Sequence, residues 1–251
     1  MCGRFVITSA PEALRQAFGH VEQPNFPARY NIAPTQPIPV VVADGDARHF
    51  RLMRWGLVPP WVRDPRKFTL LINARSETVG DKPAFRNALK RRRCIVPADG
   101  YFEWQPGSMP KQPYFIYHHE RRPFGFAALA ETWSGPNGEE FDSVAIITAA
   151  AQGEITALHD RVPVAIEPQD ITRWMDCANI ETDEALTMLA APPPGAFVWH
   201  PVSTRVNKVA NDDEQLLLPV SLDETPSAPP ARTVRKAAVR PAKDGAQGNL
   251  F

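Results

Sequence analysis

Strand-like runs dominate the hydrophobic pattern of the chain. They are rich in β-branched and aromatic residues and are separated by turns of Pro, Gly and Asp. The predicted strands are "PIPVVVA", "ARHFRLMRWG", "KFTLLINAR", "RRCIVPAD", "YFEWQ", "PYFIYHH", "FGFAALAETW", "DSVAIITAAA" and "AFVWHPV". Many short strands that do not alternate regularly with helices indicate one α+β domain on a curved antiparallel sheet or barrel.

Helical patterns are few and short. The stretch "SAPEALRQAFG" at 9–19 predicts a helix that Ser9 caps, with Glu12 three residues on, Pro11 in the first turn and Gly19 at the end. Three further helical patches are predicted at 82–91, 168–176 and 181–190.

Composition and charge say more about which partners the chain can bind than about its fold. The 251 residues are 43% hydrophobic, which is enough for one sizeable core or two small ones. Lys and Arg total 28, as do Asp and Glu, so the chain has no overall basic charge for nucleic acid. Any such partner must be bound by a local patch.

The cysteines and the N-terminus predict the compartment. Cys2, Cys94 and Cys177 form an odd, scattered set, which is typical of a reducing environment without disulfides. No Cys or His spacing indicates zinc, so we expect no metal and no cofactor, with Cys94 and Cys177 in the core. There is no secretory or membrane-spanning pattern. We therefore predict a cytoplasmic monomer whose true start is Met1.

The composition changes at about residue 219. The stretch "PVSLDETPSAPPARTVRKAAVRPAKDGA" has no aromatic and few bulky apolar residues, too few to fold. We predict a domain over 2–218 and a disordered tail over 219–251. Between 225 and 243 the tail has no acidic residue and five basic ones, Arg232, Arg235, Lys236, Arg240 and Lys243. It is either a solubilising extension or a basic tether near DNA.

Cys2 follows the initiator methionine directly. Because cysteine is small, Met1 is expected to be removed, which would give Cys2 a free α-amine beside its thiol. Such an amine titrates near pH ~8, so part of it is nucleophilic at neutral pH. A 1,2-aminothiol captures aldehydes as a thiazolidine, or the amine serves as the base for the thiol in amide cleavage. The position alone permits both chemistries.

Four polar residues in other motifs are candidates for the same chemistry. In "GYFEWQ", two-residue alternation places Tyr101 and Glu103 on one strand face, and apolar surroundings favour a neutral carboxyl that acts as general acid. His159 follows a strand in "HDRVPV", where a loop could present it to a cleft. Asn73 and Arg75 share a face in "NARSET", suited to a sugar or base edge and to a phosphate. A sheet-rim glutamate and a packed or solvated histidine are the alternatives.

Two stretches combine aromatic or apolar residues with cations. "WGLVPPWVRDPRK" holds Trp55 and Trp61 beside Arg63, Arg66 and Lys67, a combination suited to single-stranded nucleic acid, whose bases stack while its phosphates pair. "FRNALKRRRC" adds a second cluster, for which a solvated helix end is the simpler interpretation. That cluster consists of Arg86, Lys90, Arg91, Arg92 and Arg93.

The motifs "MCGRF", "RYNIAPTQ", "RWGLVPPW", "NARSET", "RRCIVPADGYFEW", "ITAAA" and "HDRVPV" occur in that order. Together they resemble the SRAP family, the SOS-response-associated peptidase or abasic-site processing proteins, through roughly residues 2–205. "PPWVRD" has one aromatic fewer than some relatives. The resemblance implies a single α+β domain with a β-barrel-like core and a few peripheral helices.

The resemblance also implies a function and roles for residues. Family members bond covalently to abasic sites in single-stranded DNA, with associated lyase and self-processing peptidase activity in the SOS response. Cys2 would form the thiazolidine, Glu103 would act as general acid and base, His159 would support β-elimination and Asn73 would position the opened sugar. The residues that would hold DNA are Arg4, Arg75 and Arg161 at phosphates and Trp61 and Pro34 against bases. A bacterial protein associated with the nucleoid or replication fork is expected.

The last five residues, "QGNLF", resemble the peptide by which bacterial proteins dock on the DNA-polymerase sliding clamp. The anchors would be Gln247, Leu250 and Phe251 at the end of a flexible tether. An accidental terminus is the alternative. For the whole chain, the competing hypotheses are a Cys2 N-terminal-nucleophile peptidase acting on protein and a non-catalytic single-stranded DNA-binding module.

Overall fold

The structure is a computed structural model that describes residues 2–107 and 111–222. The chain up to Val220 packs as one compact unit. The predicted clamp peptide and nearly all of the predicted tail lie outside the described residues, as does Met1. The predicted domain boundary between 218 and 219 therefore stays a prediction.

Thirteen strands and four short α-helices are found in the described part of the chain. The strands are β1 Phe5–Ile7, β2 Arg29–Ile32, β3 Pro37–Asp44, β4 Ala47–Trp55, β5 Asn73–Arg75, β6 Arg93–Ala98, β7 Gly100–Trp104, β8 Pro113–His118, β9 Phe124–Ser134, β10 Glu140–Ala150, β11 Arg161–Pro163, β12 Ala165–Ile166 and β13 Phe197–Pro201. The helices are α1 Pro11–Phe18, α2 Arg86–Arg91, α3 Ile171–Met175 and α4 Thr182–Thr187. Single 3-10 turns cover Pro65–Lys67, Gly153–Ala157, Pro168–Asp170, Thr204–Asn207 and Glu214–Leu217.

Five strands close into a barrel. The order β10-β4-β3-β6-β9 returns to β10, because β9 and β10 also pair with each other. All of these pairs are antiparallel except β4–β10, where Arg54 lies opposite Ser143 in a parallel register. The predicted α+β class with a barrel-like core is confirmed. The parallel pair that closes the barrel joins segments far apart in sequence.

A second, antiparallel sheet has the order β13-β8-β7-β1-β2. One of its faces joins the main hydrophobic core, to which Phe5 and Tyr101 belong. Its other face carries Val6 and Phe102, which pack beneath residues 202–217. The alternation predicted for β7 is confirmed, since Tyr101 and Phe102 belong to different clusters.

Several local predictions need correction. The α1 helix begins after Ala10, and the Ser9 hydroxyl donates to Asp99 rather than capping the helix. As predicted, Gly19 ends α1, and it does so in a left-handed conformation with φ +69°. In the predicted strand "KFTLLINAR", the first residue ends the 3-10 turn Pro65–Lys67 and only the last three residues form a strand, β5. Cys94 is a core residue, but Cys177 is only half-buried.

In the described part of the chain, no helix combines the length and apolar character needed to cross a membrane.

Candidate active site

The site forms where the N-terminal residues run beside β7. Phe5 pairs with Tyr101, and the Phe102 backbone N–H donates to the Arg4 carbonyl. This antiparallel register continues toward Cys2 on one strand and Glu103 on the other. The charge of Glu103 acts on the Cys2 thiol, and both side chains are buried. The sheet therefore brings together two residues a hundred positions apart.

Burial controls the chemistry of the Cys2 thiol. Loss of solvent and the nearby Glu103 charge raise the pKa of the thiol well above its ordinary value. The thiol is therefore protonated and neutral at physiological pH. Burial first, and then the proximity of the Cys2 and Glu103 side chains, likewise raise the pKa of Tyr101, whose neutral ring lies beside the same pair. Tyr101 was predicted to share the Glu103 face, but no role was predicted for it.

Asn73 holds the N-terminal backbone. It begins β5, which pairs in parallel with β10, and its Nδ2 donates to the Cys2 carbonyl over 2.9 Å. Its Oδ1 is buried without a hydrogen-bond partner within the described chain. An unsatisfied buried acceptor is costly, so this oxygen is suited to a donor that arrives with substrate or belongs to a freed Cys2 amine.

His159 completes the cluster. It follows the 3-10 turn Gly153–Ala157, and its Nε2 lies 3.4 Å from Glu103 Oε1. The Arg161 backbone N–H donates to His159 Nδ1 over 3.0 Å. An imidazole that accepts at Nδ1 has its proton on Nε2, which faces the Glu103 carboxyl group. Cys2, Asn73, Glu103 and His159 thus form one acid–base cluster around the N-terminus.

Comparison with known proteins identifies the family. The family model for the SOS response associated peptidase (SRAP) matches residues 1–209. The chain belongs to the SRAP family. It is 34% identical over 221 residues to the abasic site processing protein YoaM of Bacillus subtilis, a match covering 86% of this chain and 97% of that one.

A second relative agrees with this assignment, and a solved structure shares the fold. The abasic site processing protein YedK of Escherichia coli is 33% identical over 228 residues, covering 88% of this SRAP chain and all of YedK. A crystal structure of a protein from Bacteroides thetaiotaomicron superposes with a TM-score of 0.78 at 23% identity, over 88% of this chain and 100% of that one. The structural match shows the fold alone.

The three predicted phosphate-binding arginines have different surroundings in this SRAP domain. Arg75 is exposed at the end of β5. The Arg161 side chain is 11% exposed. Its guanidinium forms an ion pair with Glu77 at 2.7 Å and donates hydrogen bonds to Thr148. The Arg4 guanidinium donates three hydrogen bonds, to the carbonyls of Val206 and Asn207 and to the side chain of Asn31. Arg75 is therefore the most accessible of the three.

The aromatic stretch divides between surface and core. Trp61 is 59% exposed and makes an edge contact with Phe68 at 5.7 Å. Trp55 is fully buried and donates from its indole to the Ile72 carbonyl, so it stacks on no ligand. The basic cluster of "FRNALKRRRC" is also part surface and part core, because Arg93 is buried and donates hydrogen bonds to backbone carbonyls. The predicted solvent-exposed cluster is wrong for Arg93.

Pro34 lies in a strained turn between β2 and β3. The next residue, Thr35, has φ +74°, which is unfavourable for a β-branched side chain. The Thr35 backbone N–H donates to the Trp55 carbonyl, and Gln36 accepts from the Trp55 N–H. These bonds hold the turn against its strain and leave the Pro34 ring half-exposed.

No group of three or more His, Cys, Asp or Glu side chains among the described residues is arranged to hold a metal ion.

Proposed function

We propose that this SRAP protein processes abasic sites in single-stranded DNA by bonding covalently to them through Cys2. The observation that carries the proposal is the acid–base cluster at the N-terminus, in which Glu103 acts on Cys2 and lies 3.4 Å from His159. Family membership and the names of YoaM and YedK support the substrate. An abasic site exposes an aldehyde when its sugar ring opens.

Removal of Met1 frees the Cys2 amine for the first step. The amine adds to the sugar aldehyde and the carbinolamine loses water, which leaves an imine. The thiol then adds to the imine carbon, its proton passes to the imine nitrogen, and a five-membered thiazolidine closes. The sequence loses one water in total. Because burial raises the pKa of the Cys2 thiol, the amine is the first nucleophile.

Glu103 and His159 supply and remove protons in these steps. A carboxyl group beside Cys2 can protonate the carbinolamine hydroxyl as it leaves and can accept the thiol proton during ring closure. The same transfers in reverse open the thiazolidine. In the proposed lyase activity, β-elimination removes a proton from the sugar carbon next to the imine and expels the 3′ phosphate, and His159 holds or protonates the departing oxygen.

The remaining residues bind the DNA. Asn73 fixes the Cys2 backbone and offers Oδ1 to the opened sugar. Arg75, which is exposed, is proposed to bind a flanking phosphate, and Arg4 and Arg161 are the further candidates for this role. Trp61 and Pro34 stack against neighbouring bases, which are accessible only in a single strand or at a junction.

The alternative of a Cys2 peptidase is less well supported. The exposed Arg75 and Trp61 suit the phosphates and bases of single-stranded DNA and have no part in cleaving a protein amide. Met1 is removed either by self-processing or by an aminopeptidase. A non-catalytic binding module would require neither Cys2 nor its acid–base cluster.

A denaturing gel with abasic single-stranded DNA tests the function. We expect the wild-type protein to give a denaturant-resistant shift, Cys2→Ala to give none, and Glu103→Ala to crosslink or reverse more slowly. Undamaged DNA of the same sequence is the substrate control. The proposal is falsified if the shift is absent, or if Cys2→Ala retains it.

The C-terminal "QGNLF" is proposed to dock on a sliding clamp. A short anchor on a tether binds weakly but raises the local concentration of the domain at replicating DNA. Deleting 247–251 should abolish clamp binding in a pull-down with purified clamp and leave crosslinking intact. Unchanged clamp binding after the deletion would rule the peptide out.

A further inference from the structure

Three ionisable side chains form a path from the buried site to the surface. Glu103 Oε1 lies 3.4 Å from His159 Nε2, and His159 Nδ1 lies 2.7 Å from Asp160 Oδ1. Side-chain exposure rises along the path, from 5% for Glu103 through 29% for His159 to 84% for Asp160. A buried acid–base group must exchange protons with water between steps, and this path connects Glu103 to water.

The groups around His159 make Asp160 the charged partner of Nδ1. The Arg161 backbone N–H also points at Nδ1, but the Arg161 guanidinium is bound to Glu77. Nδ1 carries either a proton or a free lone pair, never both at once. It therefore accepts from the Arg161 N–H when deprotonated and donates to Asp160 when protonated. The surroundings support both states of the same nitrogen.

We propose that Asp160 is a positioning residue that completes a proton relay between solvent and Glu103 through His159. This inference rests on the proposed function, in which Glu103 exchanges protons with substrate. His159 Nε2 gives its proton to Glu103 Oε1 while Nδ1 takes one from water beside Asp160. One proton has then moved from solvent to Glu103, and the imidazole is left with its proton on Nδ1. When Glu103 returns its proton to Nε2, Nδ1 releases one to water.

Chemical rescue tests the relay. In dilute buffer at neutral pH, Asp160→Asn should crosslink abasic single-stranded DNA about a hundredfold more slowly than wild type, the low end of general acid–base effects. Concentrated imidazole should restore the rate, because a small acid–base molecule replaces the missing path, and should leave wild type unchanged. The matched control is Asp46→Asn, an exposed carboxylate in the β3–β4 turn. It should behave as wild type throughout.

Two outcomes of the rescue experiment would overturn the relay. One is an Asp160→Asn rate equal to wild type in dilute buffer. The other is a slow rate that imidazole does not raise, which would indicate a purely structural role. Equal thermal unfolding of the two proteins would exclude a folding defect as the cause of slow crosslinking.

A measurement without DNA separates the relay from the proposed function. ¹⁵N NMR of the imidazole reports which ring nitrogen is protonated, and His159→Gln assigns the signal. Asp160→Ala should shift the tautomer ratio toward Nε2–H, because Nδ1–H loses its acceptor while the Arg161 N–H still donates. An unchanged ratio overturns the relay. Absence of crosslinking by wild type would instead overturn the proposed function.

Discussion

The Cys2 thiol is buried in the main core and carries no charge at physiological pH. Its pKa is raised by burial first and by Glu103 second. We therefore expect iodoacetamide to alkylate Cys2 more slowly than the half-buried Cys177 at mildly alkaline pH. Peptide mass spectrometry after timed quenching measures both sites in one sample. Faster alkylation of Cys2 than of Cys177 would contradict the buried, neutral thiol.

Individual residues were predictable where they belong to a distinctive motif. Cys2, Asn73, Glu103 and His159 were predicted from such motifs, and the structure brings all four together. Asp160 was visible next to His159, but its approach to Nδ1 depends on how the loop folds. The Glu77–Arg161 pair links the turn after β5 to the first residue of β11 and has no signal in sequence spacing.

At the scale of elements, the longer strands were predictable and the shortest were not. The runs that form β3, β4 and β9 are long and rich in β-formers, so their pattern predicts them. In contrast, β1 is three residues long and buried on both faces, between the two clusters. It therefore shows no polar alternation, and β2 was missed with it. The parallel closure by β4 and β10 depends on non-local pairing.

The packing of β7 gives a prediction about its first residue. A Cβ at Gly100 would lie 2.3 Å from a Phe115 ring carbon and 2.8 Å from the Ile116 carbonyl oxygen. Gly100→Ala should destabilise the fold by about 1–3 kcal/mol, the usual cost of overpacking. Gly80→Ala is the matched control, because its Cβ would meet only Leu186 at 3.6 Å. Urea unfolding measures both, and equal midpoints for the two variants would refute the packing argument.

Glu22 links the loop after α1 to β4 and makes stability depend on pH. Hydrogen bonds from the Phe50 N–H first, then from His49, lower the pKa of Glu22 to about 2. A carboxyl group whose pKa is lowered by folding stabilises the fold fully at pH values above its ordinary pKa of 4.5. That stabilisation is lost as the pH falls from 4.5 toward 2.

Glu22→Gln should therefore be less stable than wild type at neutral pH, and the difference should shrink as the pH falls below about 4. Urea unfolding of both proteins over a pH series measures the difference. A gap that stays constant or widens in acid would show that the Glu22 charge does not stabilise the fold.

For the whole molecule, charge is balanced, with 28 basic and 28 acidic residues. DNA binding must then depend on a few local contacts, and its salt dependence should be shallow. Each phosphate contacted in a single strand adds about −0.7 to the slope of log K against log salt.

In a Cys2→Ala background, Arg75→Ala should reduce the slope by about that amount. Arg173→Ala, in an exposed pair with Glu184, should not change it. Fluorescence anisotropy measures both, and an Arg75→Ala slope equal to its parent would remove Arg75 from the interface.

Intact-mass spectrometry of the adduct tests the central claim most directly. Protein with a free N-terminal Cys2, mixed with an abasic oligonucleotide and denatured without borohydride, should give the sum of the two masses less one water. Protein carrying an uncleavable extension before Cys2 should give no adduct, since its amine is blocked. An adduct of the extended protein, or none with the free Cys2 protein, would contradict aldehyde capture by the Cys2 aminothiol.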